Sequence, residues 1–183
     1  EQVNQLLSRC GRRTSMERRD YAILLLLARL GLRASEVVML ELDDIDWEVG
    51  CLHVHTKGGQ RTELPLPADV GEAIVGYLQH GRPQSSSRRV FLRAKAPIRG
   101  FLGASAIDSV IRHALERTGT SAPTKGAHQF RHGLATEMLH QGASLNEIGE
   151  MLGHRSPETT KLYAKVDLDA LRTLALPWPG GAQ

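Results

Sequence analysis

The stretch DIDWEVGCLHVHTKGGQRTELPLP, residues 44–67, alternates apolar and polar residues on both sides of a Lys-Gly-Gly sequence. Alternation with a period of two is typical of strands that bury one face, and paired glycines between two such runs are typical of a hairpin turn. We therefore predict a small three-stranded antiparallel sheet here, with its hairpin at Lys57 to Gln60. This sheet distinguishes an α+β fold from an all-helical one, because helical patterns flank it on both sides.

The flanking segments carry helix start and stop signals. In TSMERRDYAILLLLARLG, residues 14–31, Thr14 and Glu17 form a predicted capping box and Gly31 is a C-terminal stop. A short helix, ASEVVML, is predicted directly after Arg33. Further predicted helices are PADVGEAIVGYLQHG, SAIDSVIRHALERTG with Ser105 as its cap, AHQFRHGLATEMLHQG ending at Gly142, SLNEIGEMLG with a capping box of Ser144 and Glu147, SPETTKLYAKV capped by Ser156, and DLDALRTLAL. With VFL at 90–92 as a short strand, the predicted fold class is α+β and mainly α-helical.

Length and composition are those of one globular domain. The chain has 183 residues, of which 41% are hydrophobic and 23% charged, enough to bury one core. Its longest apolar run is interrupted by Arg29 and is too short to span a bilayer, so no membrane partner is predicted. The two cysteines, Cys10 and Cys51, lack metal-binding spacing, and we interpret them as reduced thiols of a cytoplasmic protein.

Charge is distributed unevenly, although the formal net charge is only +3. Residues 82–133 are rich in basic side chains, namely Arg82, Arg88, Arg89, Arg93, Lys95, Arg99, Arg112, Arg117, Lys125 and Arg131. Residues 41–48 are acidic, with Glu41, Asp43, Asp44, Asp46 and Glu48. A basic stretch is consistent with a surface for phosphate or nucleic acid, and equally with an ordinary solvated surface. Charge alone leaves both interpretations open.

Six side chains at four places could carry chemistry. They are Arg33 beside a helix start, Lys57 in the hairpin, His128 and Arg131 in HQFRH, and His154 and Tyr163 in LGHRSPETTKLYAKV. Singly, each has an ordinary structural explanation, such as a solvated cation or a half-buried aromatic ring. His128 and His132 could bind a metal, but no Cys, Asp or Glu joins them at ligand spacing. Together the six supply guanidinium, imidazole, ammonium and phenol groups, a set that suits attack of a phenol on a phosphodiester.

Four segments resemble, in order, the catalytic domain of the tyrosine recombinases, the phage integrase family. They are LGLRASEVVMLELDDIDW, TKGGQRTELPLP, HQFRHGLATEMLHQGASLNEIGEMLGH and SPETTKLYAKV, and the resemblance runs from about residue 14 to residue 166. It implies these roles: Arg33 and Arg131 as catalytic arginines, Lys57 as general acid, His128 as base or proton shuttle, His154 as a phosphate contact, Tyr163 as nucleophile, and Glu36 as the acidic residue that orients an arginine.

The resemblance also implies an activity and its partners. We expect a site-specific DNA recombinase that forms a 3′-phosphotyrosyl intermediate on double-stranded DNA without metal, ATP or other cofactor. Residues 1–183 are expected to be a single C-terminal catalytic domain that lacks the family's N-terminal core-binding domain, with a C-terminal helix and loose tail at 167–183. This domain alone should be a monomer, and the full-length enzyme a tetramer on DNA. Two alternatives stay open: a type IB topoisomerase, and a DNA-binding module that does not cleave.

Overall fold

A computed structural model describes residues 2–55, 61–120 and 126–152. The helices are α1 (Gln2–Arg9), α2 (Ser15–Leu30), α3 (Ala34–Met39), α4 (Ala68–His80), α5 (Ser105–Thr118), α6 (Ala127–His140) and α7 (Leu145–Met151). The strands β1 (Ile45–Asp46), β2 (Cys51–His55) and β3 (Arg61–Pro65) form one antiparallel sheet in that order. The predicted fold class, mainly helical with a three-stranded antiparallel sheet, is therefore confirmed.

Helix α2 forms the centre of the first of two compact units, residues 1–134. Every residue from Ala22 to Ala28 is buried, so this helix is apolar around its whole circumference and is covered on all sides. Helices α1, α3, α4 and α5 all pack against it. The predicted capping box is present at Thr14 and Glu17, and Gly31 ends the helix with a left-handed backbone, φ 60°. Local sequence therefore fixes both ends of the core helix.

The sheet presents two chemically different faces. Strand β2 pairs with β3 so that Leu52 lies opposite Leu64 and His53 opposite Glu63. Leu52, Val54 and Leu64 are buried in the core, whereas Glu63 on the opposite face is exposed. This is the alternation that the sequence pattern predicts for a sheet with one covered face. The predicted hairpin turn, Lys57 to Gln60, lies outside the described residues.

Two local predictions were wrong. Residues 90–92 are buried but form no strand, and only the isolated bridges Glu41–Arg89 and Leu92–Gly100 occur beside them. The guanidinium of Arg82 donates hydrogen bonds to the carbonyl oxygens of Ser87, Arg89 and Val90, which takes acceptors away from any strand ladder.

The second wrong prediction is the cap of α5. Ser105 is the first helical residue, the cap position falls on Ala104, and no side chain caps this end. Asp108, which a Ser105 capping box would have used, instead accepts a hydrogen bond from the backbone N–H of Ala127 at 3.2 Å. The carboxylate therefore holds the start of α6 rather than the start of its own helix.

The second compact unit, residues 135–183, is described as far as residue 152. The boundary between the units lies within α6, and Gly142, with φ 89°, follows that helix as predicted. The Ser144–Glu147 capping box of α7 is confirmed by bonds of 2.7 and 3.3 Å. The predicted helices and tail beyond residue 152 lie outside the described residues. Among the helices that the structure describes, none has the length and apolar character needed to cross a membrane.

Candidate active site

Arg33 lies at the turn between α2 and α3, where it is the N-terminal cap residue of α3. Its backbone N–H donates to Glu36 Oε2 at 2.7 Å, and its Nη1 donates to Glu36 Oε1 at 2.7 Å. The Glu36 side chain is only 5% exposed, whereas the Arg33 side chain is 40% exposed. Glu36 therefore holds Arg33 by both backbone and side chain. Within residues 2–55, 61–120 and 126–152, no group engages Nε or Nη2 of the guanidinium, which can therefore bind a ligand.

Arg131 lies at the same turn, although it is distant from Arg33 in the sequence. Its side chain is buried, and Nη1 donates to the carbonyl oxygen of Gly31 at 2.7 Å, across 100 residues of sequence. Gly31 is two residues before Arg33, so the Cα atoms of Gly31 and Arg33 are at most about 7 Å apart. The structure thus brings the two predicted catalytic arginines and Glu36 together around one turn.

The position of Arg131 depends on the start of α6. The Asp108 carboxylate anchors the N–H of Ala127, the first residue of that helix. Arg131 follows one turn later and faces the interior, whereas His128 is exposed. The two side chains, three residues apart on α6, therefore differ in burial. Gly31 accepts a hydrogen bond from the arginine, and Asp108 holds the start of its helix. Both contacts are distant in sequence, so no local pattern indicates them.

His128 and His132 contact each other on the exposed side of α6. Their Nε2 atoms are 2.6 Å apart and their rings are perpendicular. This distance suits one shared hydrogen bond and is shorter than the roughly 3.3 Å expected between two nitrogens on one tetrahedral zinc ion. Burial lowers the pKa of His132, and the neighbouring His128 and Arg131 lower it further. His132 is therefore neutral at neutral pH and can orient the His128 ring through this hydrogen bond.

The remaining predicted site residues lie outside the described residues. These are Lys57 in the predicted hairpin turn, His154 and Tyr163. Their roles remain predictions, and so do the roles of the four described residues at the site.

The basic stretch divides into two groups in the structure. Arg88 pairs with Asp43, Arg89 lies 3.3 Å from Glu41, and Arg117 lies 3.4 Å from Asp20. Much of the acidic run at 41–48 is therefore balanced by basic residues of the same unit. Among the described residues, the side chains of a second group make no hydrogen bond or ion pair and are exposed: Lys95, Arg99 and Arg112. Lys95, Arg99 and Arg112 are therefore available for contact with a polyanion.

Comparison with known proteins decides the family. The family profile described as Phage integrase family matches residues 1–169, which is most of the chain. The chain belongs to the phage integrase family. The resemblance to the tyrosine recombinases predicted from the sequence is thereby confirmed.

The relatives of this integrase-family chain are longer proteins. It is 67% identical over 183 residues to y4rA of Sinorhizobium fredii (strain NBRC 101917 / NGR234), which bears an integrase/recombinase name, and covers 44% of that protein. It is 36% identical over 167 residues to tyrosine recombinase XerD of Mycobacterium tuberculosis (strain ATCC 25618 / H37Rv), of which it covers 51%. The chain thus spans about half the length of these curated relatives.

A solved structure shows the same fold. The XerH site-specific recombinase, crystallised in a post-cleavage complex with its palindromic difH substrate, superposes with a TM-score of 0.80 at 21% identity. The match covers 97% of this chain and 51% of that one. The architecture built around α2 and the small sheet is therefore that of an integrase-family domain.

Proposed function

We propose that this chain is the catalytic part of a site-specific DNA recombinase that breaks and rejoins DNA strands. One observation carries the proposal. The buried Arg131 and the half-exposed Arg33 are fixed at the same turn, Arg131 by the Gly31 carbonyl and Arg33 by the Glu36 carboxylate. Family membership supplies the second support, because relatives bear recombinase names.

Two fixed guanidinium groups suit a phosphodiester in the transition state of transfer. A guanidinium stays charged at physiological pH and can donate paired hydrogen bonds to phosphate oxygens. Donors held in advance stabilise the charge that develops on those oxygens without reorganising during the reaction. In this proposal Arg33 uses Nε and Nη2, while Glu36 engages Nη1. Arg131 places its buried positive charge beside the same phosphate.

The nucleophile and the proton carriers complete the proposed mechanism. The phenol oxygen of Tyr163 attacks phosphorus, and its proton passes to His128. The bond from phosphorus to the 5′-oxygen breaks, and Lys57 donates a proton to that oxygen. His154 donates a hydrogen bond to the same phosphate. The 3′-phosphotyrosyl product retains a diester bond, so a 5′-hydroxyl from a second duplex can reverse the attack without ATP.

The proposed partner is double-stranded DNA. The DNA complex of XerH, a protein of the same fold, supports this partner. We propose that the full-length protein forms a tetramer on DNA, that residues 1–183 alone are monomeric, and that the protein works on DNA in the cytoplasm. Exposed Lys95, Arg99 and Arg112 are candidates for contacts with the DNA backbone.

A covalent trap tests the proposal. The protein is mixed with nicked duplexes of random sequence that cannot religate, boiled in detergent and examined for DNA that stays attached. We expect an adduct that is lost in Tyr163→Phe, whereas DNA binding is retained. The same assay is run on a full-length relative such as y4rA. If neither protein forms an adduct, the non-cleaving DNA-binding module is the better interpretation. If the protein forms an adduct and relaxes supercoiled DNA but never joins two duplexes, the topoisomerase is the better interpretation.

A further inference from the structure

The outer face of the β2–β3 pair carries a cluster of three potential metal ligands. Cys51 and His53 are two residues apart on β2 and therefore lie on the same face, and Glu63 lies opposite His53 on β3. One ligand atom from each side chain lies within 4.8 Å of the others. Cys51 is 6% exposed, whereas Glu63 is exposed, so the cluster is open to solvent on the Glu63 side.

The spacing of these atoms fits a tetrahedral zinc ion. Cys51 Sγ lies 3.7 Å from His53 Nε2. Zinc–sulfur and zinc–nitrogen bonds of about 2.3 and 2.0–2.1 Å at the tetrahedral angle place the two ligands about 3.6 Å apart. The Cys51 and His53 side chains therefore need little adjustment, and a Glu63 carboxylate oxygen lies within 4.8 Å of both ligand atoms. Three protein ligands leave a fourth position for water.

The neighbouring strand adds an acidic residue beside the cluster. Asp46 on β1 lies opposite Cys51 on β2. A divalent cation would compensate the negative charge of the Glu63 carboxylate and of the bound thiolate together.

We propose that Cys51, His53 and Glu63 form a binding site for zinc or a cation of similar preference. Binding forms a bond from sulfur to the metal while the thiol proton leaves to solvent. The ion joins β2 to β3, which are consecutive strands in the sequence, and so stabilises their pairing. This site is separate from the arginines at the α2–α3 turn, and the inference does not depend on the proposed function.

Cobalt provides a direct probe, because a thiolate bound to Co²⁺ gives a charge-transfer absorption in the near ultraviolet. CoCl₂ is titrated into the reduced protein, and ZnCl₂ is then added to displace it. We expect one equivalent of Co²⁺ to produce the band and Zn²⁺ to remove it. The band should be absent in Cys51→Ser, and binding should weaken at least tenfold in Glu63→Gln and in His53→Asn.

Matched controls separate this site from the other thiol and from exposed histidines. Cys10→Ser removes a thiol outside the cluster, and His113→Asn removes an exposed imidazole on α5; both should titrate like the wild type. Glu63 is exposed, so Glu63→Gln should fold, which circular dichroism checks. At one fixed zinc concentration, the Tm of the wild type should rise more than that of Glu63→Gln, because the weaker site gains less stability from the same ligand.

The opposite results would overturn the site. No band at a several-fold excess of Co²⁺, a band that persists in Cys51→Ser, or a band lost in Cys10→Ser contradicts it. So does an equal rise of Tm with zinc in the wild type and in a correctly folded Glu63→Gln protein.

Discussion

Replacing Glu36 by glutamine tests whether this acidic residue orients Arg33, the first of the two proposed catalytic arginines. In the wild type, the two carboxylate oxygens accept separate bonds from the Arg33 backbone N–H and from Nη1. A glutamine amide keeps one oxygen for the backbone N–H. Its NH₂ group then faces the guanidinium, so that two donors oppose each other and the ion pair is lost.

The size of the effect follows from the burial of the pair. A hydrogen bond to a charged group contributes about 1.5–3 kcal/mol. Because the Arg33 side chain is 40% exposed, solvent screening reduces the free energy lost with the Glu36–Arg33 hydrogen bond to about 1–2 kcal/mol. If the whole loss appears in the transition state, the cleavage rate falls about 5- to 30-fold. The free energy of unfolding should fall by no more than a similar amount.

The cleavage rate is measured as single-turnover formation of the covalent adduct on a DNA site that the covalent trap has identified. The free energy of unfolding is measured by urea unfolding. Glu17→Gln is the matched control, because Glu17 accepts two backbone N–H bonds in the capping box of α2 and, in the part of the chain that the structure describes, binds no guanidinium. We expect Glu17→Gln to react at the wild-type rate. The reasoning is refuted if Glu36→Gln loses stability yet cleaves at the wild-type rate, or if both variants slow equally.

Three further predictions concern the second arginine, the leaving group and acid stability. Arg131→Ala should slow adduct formation by at least about 10²-fold, roughly 3 kcal/mol, in a single-turnover assay, and a loss below tenfold would contradict a role at the phosphate. Lys57→Ala should be rescued by a 5′-bridging phosphorothiolate, whose leaving group needs no proton; a substrate that gives no rescue excludes Lys57 as the general acid. Hydrogen bonds from the Thr14 N–H and the adjacent amide lower the pKa of Glu17 below its usual 4.5. The stabilisation of the folded state by ionised Glu17 is therefore complete above pH 4.5 and is lost as pH falls through the folded-state pKa. Acid unfolding monitored by circular dichroism should consequently depend less on pH in Glu17→Gln than in the wild type.

Features of the fold that depend on neighbouring residues were predictable from the sequence. The α2 capping box, the left-handed Gly31 and the alternating strands each depend on a few adjacent positions, and all three are present. Wrong predictions came from side-chain contacts that the strand and helix patterns do not indicate. Residues 90–92 resemble a strand locally, but the guanidinium of Arg82 binds the carbonyl groups around them. Helix α1 was not predicted at all, although Leu6 and Leu7 on it join the core.

In the candidate site too, local motifs were predictable from the sequence and contacts between distant residues were not. The residue types at Arg33, Glu36 and Arg131 identify the family from the sequence, because the motifs are local. The bond between Arg131 and Gly31 spans 100 residues, so no local pattern could predict it. The cluster at Cys51 was also missed, since its Glu63 ligand comes through strand pairing rather than through sequence spacing.

The central claim is that two arginines fixed at one turn neutralise a phosphate during attack by Tyr163. The most direct measurement compares adduct formation by Arg33→Ala on two substrates, the native diester and a methylphosphonate at the scissile position, which lacks the negative charge. We predict a loss of about 10²-fold or more on the native substrate and less than about tenfold on the neutral one. An equal loss on both substrates would contradict the claim, because Arg33 would then act on something other than the phosphate charge.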